Sequence, residues 1–418
     1  MNTLTRISAP NILKHIENIV SYGPRVDGSR ASIETGDYIS KCLQSYGMDV
    51  HRLPIEFSLS ENVEAKLEII GAKGENIPCL ANTRGALTDN TPLVAEAVFV
   101  AGGSESDYEH KDVTNKIVIA GEERYWQDDS MVPTKYFRAL EKGATAFIFS
   151  DRRRDDTITC WTMSCDLTKI PTVSIPYSYF IKLKKECSEK KVVLRLTING
   201  KLKRSTDYII SSYLPGLKSG AGTIIVDGSH HETVAYCPGA NDNASGTAIM
   251  LELARFFVSN RINNSLLFIS TCAEECLCIG MQKYIEDENR YLKKAIASFV
   301  IDQVAGANTG IIKRGIIYDV ENGYLPTGGY LYSDEKLVKL LQESAQELGY
   351  FIPIYDAPGG SLGESNNFIN AGIPSVFICG WNTDPVYHTS LDTIDIVSAN
   401  SLKAIADIVA NTIILKLH

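Results

Sequence analysis

The stretch TIIVDGSHHETVAYCPGANDNASGTAIMLELARFF, residues 223–257, passes through three textures. An apolar run from Thr223 ends at Asp227 and Gly228 and gives way to His230 and His231. A turn of small residues, GANDNASG, then carries one acid, Asp242, into a run whose apolar residues recur at helical spacing. The chain holds only 7 histidines, so two adjacent ones at a strand end call for a chemical reason. A strand that is apolar throughout and feeds a helix belongs to a sheet covered on both faces, which points to an α/β fold.

The same unit recurs downstream. Strand candidates SLLFIST, IASFVID and PSVFICG alternate with helical segments over 245–260, 280–294 and 334–349. Each strand leads to side chains that can bind a cation. Glu274 and Glu275 follow SLLFIST, Asp302 ends IASFVID, and His388 follows PSVFICG. Open α/β sheets gather ligands at the carboxyl ends of their strands, so these residues are expected on one edge. Two imidazoles and several carboxylates form a mixed nitrogen and oxygen donor set suited to zinc or a similar divalent ion. Carboxylates this dense would repel one another unless a cation or protons neutralised them. Taken singly, each has a plainer reading: a hydrogen-bonded core histidine, a helix cap at Asp242, a solvated loop tip at Glu274 and Glu275. Four consecutive strand ends carrying such groups favour the site.

Composition narrows the classes. A chain of 418 residues exceeds one ordinary core, so two domains, or one with a large insertion, are expected. The net charge of −9 and the lack of a basic stripe exclude a nucleic-acid partner, and Arg152 to Arg154 are bracketed by Asp151, Asp155 and Asp156. No signal-peptide apolar region and no run of about 18 apolar residues are present, so a soluble, cytoplasmic protein without a membrane partner is expected. The 10 cysteines, thinly spread, fit reduced thiols; Cys276 and Cys278 read as small buried residues rather than ligands. Residues 8–50 predict two helices, followed by an extended stretch over 49–59. From 60 to 200 short β-rich runs with one helix, TKYFRALEKG, predict a small β-rich domain.

The blocks GSHHETVAYCPGANDNASGTAIMLELAR, TCAEECLCIG, VIDQVAG, NAGIPSV and YHTSLDT resemble, in order and spacing, the co-catalytic di-zinc aminopeptidases, family twenty-eight of the metallopeptidases. The resemblance spans residues 8–55 and 203–415. The block from NKIVIAG through GATAFIFS to IPTVSIP resembles the protease-associated domain inserted in several members. The resemblance implies a three-layer zinc-exopeptidase (phosphorylase/hydrolase-like) α/β fold, with a mixed, mostly parallel sheet between helices. Residues 1–60 and 203–418 would form the peptidase domain, and 61–202 a protease-associated-like insertion walling part of the cleft.

The resemblance further implies two zinc ions, one on His230 and Asp302 and one on Glu275 and His388, bridged by Asp242. Glu274 would be the general base and Tyr387 a hydrogen-bond donor to the oxyanion, so that peptides lose their N-terminal residue. Glu232, Asn243 and Glu364 would complete the surroundings of metals and substrate, with Glu274 and Glu364 as anchors for the free α-amine. The small residues around Asp242 raise the expectation of a strained, cis-type Asp242–Asn243 peptide. Monomer or homodimer is left open.

The sequence departs from the family pattern in four places. The usual H-x-D reads His230-His231-Glu232, with His231 the alternative ligand and the longer Glu232 in place of the orienting aspartate. Leu277 and Ala305 stand where glycines are usual, and Gly363-Glu364-Ser365 where SDH is common. Two other readings stay open at this point: a glutaminyl cyclase-like acyltransferase with one zinc, and a metal-free scaffold.

Overall fold

Within each apolar run, successive side chains enter opposite cores. Ile224, Val226, Leu266, Phe268, Phe299, Ile301, Val376 and Ile378 join one cluster. Ile225, Leu267, Ile269, Val300 and Phe377 join another. Period-two alternation therefore persists inside uniformly apolar runs, because both faces of the sheet are covered. The structure, a computed structural model, describes residues 6–71, 74–88, 91–122, 132–287, 289–306, 309–315, 330–331, 333–357, 363–380 and 386–417.

Strands Ser265–Thr271, Thr223–His230, Ala295–Asp302 and Ser375–Gly380 lie side by side in that order, all parallel. Thr309–Gly315 pairs antiparallel with the last of them, and Val193–Leu214 antiparallel with the first. Helices Ala9–Val20, Arg30–Ser45, Ser245–Ser259, Glu335–Glu347 and Ala399–Lys416 cover one face; Ile279–Asp287 and Ser365–Asn370 cover the other. The expected mixed sheet between helices is thus present. Ser8, Ser29, Asp334 and Ser398 each accept a bond from a first-turn N–H, which fixes where four of these helices begin. Among the described residues no helix is long and apolar enough to cross a membrane.

The predicted boundaries at 60/61 and 202/203 fall inside two long strands, Val50–Ile70 and Val193–Leu214, which pair along their length. Their register shifts between Glu61 and Glu64, so a continuous ribbon with one irregularity joins the peptidase sheet to the inserted segment. The segment forms strands at the β-rich runs and adds a second helix to the one expected. Leu93–Phe99, Ile117–Glu122, Ala146–Asp151 and Thr172–Ser174 form a parallel set, with helices Val132–Glu141 and Tyr177–Glu189. Of the second helix, Phe180 and Leu183 are buried, with Tyr177, Tyr179 and Cys187 packed beside them. The segment expected as one helix over 280–294 is described as Ile279–Asp287 and a short Asn289–Leu292.

One buried histidine in this fold gives a measurable pH dependence. His15 shares hydrogen bonds with the hydroxyls of Tyr38 at 2.7 Å and Tyr46 at 3.3 Å. Burial pulls its pKa from 6.5 down to about 4. The unfolded chain therefore takes up this proton first: the stability contributed by neutral His15 is complete above pH 6.5 and lost as pH falls toward 4. His15→Gln is expected to remove about 2 kcal/mol of the stability lost between roughly pH 7 and 5. Urea denaturation of the metal-free protein at the two pH values checks it; equal losses for both proteins would discount the assignment.

Candidate metal and active site

The carboxyl ends of the four parallel strands place the site. His230 closes its strand, Asp302 closes the neighbouring one, Glu274 and Glu275 follow Thr271, and His388 follows Gly380. At each of these turns one residue adopts positive φ: Ser229 at 52°, Ala273 at 65°, Gln303 at 52° and His388 at 58°. Asp242 enters from the segment that starts helix Ser245–Ser259, and its peptide to Asn243 is cis. The plainer reading of Asp242 as a cap gives way to Asn243, whose Oδ1 accepts from Gly246 N at 2.9 Å and Gln303 N at 3.1 Å. Gly246 is required there, because a Cβ would lie 2.0 Å from the carbonyl oxygen of Ile301.

Two donor sets meet at Asp242. Its Oδ1 lies 3.2 Å from Nε2 of His230, which is 3.6 Å from Asp302 Oδ1. Its Oδ2 lies 3.3 Å from Nε2 of His388, which is 2.9 Å from Glu275 Oε1. Within each set, one ligand atom per residue lies within 4.8 Å of the others. Both Asp242 oxygens, Asp302 Oδ1 and His388 Nε2 are buried without a hydrogen-bond partner among the described residues. Buried polar atoms that converge without bonding one another fit donors arranged around cations.

The electrostatics agree with that fit. In the metal-free chain, burial pushes Glu274 and Asp302 above the usual carboxylate range. Burial acts likewise on Asp242, but the two imidazoles outweigh it and hold this carboxyl low. Burial would lower His388, yet Glu275 and Asp242 raise it to about 9. Acid crowded this closely around two imidazoles is the strain that bound cations would relieve.

Surrounding groups hold the donors. Nδ1 of His230 meets the backbone oxygen of Glu232 at 3.0 Å, while the Glu232 carboxylate stands 3.8 Å away. That carboxylate instead accepts from the backbone N–H of Glu274 at 2.6 Å and of Glu275 at 3.3 Å. The extra methylene thus moves it from the imidazole to the acidic loop. His231, the alternative ligand, points into the core, where it meets Ser270 Oγ at 3.1 Å, and burial lowers its pKa to about 3. Glu364 does not face the cavity: fully buried, it accepts from Ser229 Oγ at 2.9 Å and Thr271 Oγ1 at 2.6 Å. These two bonds tie it to the turn before His230.

The sequence reading missed several supports. Asp392 accepts from Asn241 N at 2.8 Å and Asp242 N at 3.0 Å. Arg25 donates to the carbonyls of His231, Pro238 and Gly239. Arg84, from the inserted segment, pairs at 2.9 Å with Asp27, which accepts from Ala273 N at 2.8 Å. Only Asp392 carried a local signal, lying inside the YHTSLDT block.

A cavity opens onto Asp242, Glu274, Glu275, Asp302 and His388. Its walls include Leu277, Phe377, Cys379 and Tyr387, with Pro133, Trp161 and Thr162 from the inserted segment. Leu277 has φ of 63°, the conformation for which a glycine is usual, and its side chain takes up wall space.

Residues 213–413 match peptidase family M28. Aminopeptidase YwaD of Bacillus subtilis is 27% identical over 399 residues, covering 93% of this chain and 80% of that protein. The probable lipoprotein aminopeptidase LpqL of Mycobacterium tuberculosis is 28% identical over 320 residues, 73% of this chain and 61% of that protein. Among solved structures, the aminopeptidase from Aneurinibacillus sp. strain AM-1 superposes with a TM-score of 0.73 at 25% identity, covering 98% and 93% of the two chains.

Proposed function

From the match of residues 213–413 to peptidase family M28, we propose that the chain is a member of that family, a zinc-dependent aminopeptidase that hydrolyses the N-terminal bond of peptides. The observation that carries the proposal is Asp242, whose two oxygens face two separate imidazole and carboxylate sets. His230 and Asp302 would hold one zinc, Glu275 and His388 the other, with Asp242 between them. Bound there, zinc would acidify a water at neutral pH and polarise the scissile carbonyl.

The chain's own groups do the rest. Glu274 Oε1 accepts from the Cys278 thiol at 3.3 Å, and Oε2 lies 3.9 Å from Nε2 of His230. In this reading Glu274 takes the proton of the attacking water and passes it to the leaving amine. Tyr387, on the cavity wall, donates to the developing oxyanion, a contribution typically worth about 3 kcal/mol. The acidic floor attracts a free α-ammonium group, which directs the enzyme to chain ends. Residues 61–202 act as a protease-associated-like domain, supported by the wall residues they supply. Ten free cysteines support a cytoplasmic setting.

The test is hydrolysis of aminoacyl-amide substrates with free and acetylated amines, with metal content measured on the same samples. About two zinc ions per chain, cleavage of free-amine substrates alone and loss of activity on chelation are expected. Metal-free protein, cleavage of blocked substrates, or cyclisation of an N-terminal glutamine without hydrolysis would overturn the proposal.

A further inference from the structure

We propose that the inserted segment completes the metal site through Trp161, a positioning residue for His388; this rests on the two-metal reading above. His230 and His388 are held in different ways. Nδ1 of His230 has a backbone oxygen at 3.0 Å, the kind of partner that normally fixes the ring of a metal-binding histidine. Nδ1 of His388 is buried and has no hydrogen-bond partner among the described residues. On the Nδ1 side of this imidazole, packing takes the place of that bond.

Two aromatic rings supply it. Tyr387 stacks on the imidazole, with centroids 3.7 Å apart and planes at 24°. Trp161 meets it edge to face, at 4.8 Å and 68°. A ring confined between a parallel and a perpendicular neighbour cannot turn about its own bond without displacing one of them. The inserted segment also grips the backbone, since Cys160 N donates to the His388 carbonyl at 2.9 Å.

Trp161 is itself fixed from within that segment. Its backbone N–H donates to Asn82 Oδ1 at 3.1 Å, and its backbone carbonyl accepts from Thr83 N at 2.9 Å. Its indole packs edge to face on Phe149 at 6.0 Å and 84°. Phe149 lies on strand Ala146–Asp151, so a rigid path runs from the inserted sheet to one metal ligand. The segment that walls the cavity thereby also sets the affinity for one of its two ions.

The test titrates the metal-free full chain with zinc against a competing chelator, for the unsubstituted protein, Trp161→Leu, Trp161→Phe and His388→Ala. The alanine variant identifies which ion depends on His388. Trp161→Leu is expected to weaken that ion by about tenfold or more and to leave the other within about threefold. Trp161→Phe, which keeps an aromatic edge, is expected to restore it to within about threefold of the unsubstituted chain. Unchanged affinity for both ions in Trp161→Leu would overturn the proposal, as would equal weakening of both. A leucine variant unfolded at 25 °C by circular dichroism would also overturn it, since Trp161 would then serve the core rather than His388. An unsubstituted chain that takes up fewer than two ions instead defeats the two-metal reading, and this proposal with it.

Discussion

Glu274→Gln is expected to lower kcat for an aminoacyl amide by about a hundredfold or more while zinc content stays the same. Glutamine keeps the size and the carbonyl oxygen of the side chain but cannot take up a proton at neutral pH. Glu274 belongs to neither donor set, so the substitution leaves both sets whole. The loop keeps its shape as well, because Glu232 holds the backbone N–H of residue 274 rather than its side chain. KM should move less than kcat, since the group acts on the proton in flight and not on the resting substrate. Paired kinetics and metal analysis check this. Residual activity above about a tenth, with zinc retained, would give the base to another group.

The side chains proposed to hold metal were legible as a cluster because they end or follow strands that advertise themselves. Thr223–His230 and Ala295–Asp302 are apolar runs covered on both faces, and the polar residue that stops each run stands at the sheet edge. The supports were not legible. Arg25 acts on three backbone carbonyls more than two hundred positions away, and nothing around it in sequence marks that. Trp161 and Arg84 read as ordinary residues of the inserted segment until the fold sets them against His388 and Asp27. Helix Tyr177–Glu189 escaped because Ile181 stands exposed and charged residues crowd the narrow face that Tyr177, Phe180, Leu183 and Cys187 turn to the core. The long strands hid the junction for a related reason: the ribbon at Lys201 to Arg204 is exposed, so no burial pattern separates one unit from the other.

Asp242→Ala is expected to have the larger consequence: zinc falls from about two ions per chain to well below one, and kcat/KM drops by about a thousandfold or more. The reasoning is geometric. Asp242 alone belongs to both donor sets, and without it each set keeps one imidazole and one carboxylate, too few for a structured zinc site. Glu275→Ala removes one donor from one set only, so it should cost one ion and spare the other. The fold should survive the loss of the Asp242 carboxylate, because its segment is anchored by backbone N–H bonds to Asp392 and by the Asn243 amide to the carbonyls of Gly228 and Ile301. Metal counts on the two variants side by side decide the matter. If Asp242→Ala and Glu275→Ala each kept one ion, the carboxylate would serve a single site, and the two sets would be independent rather than joined at Asp242.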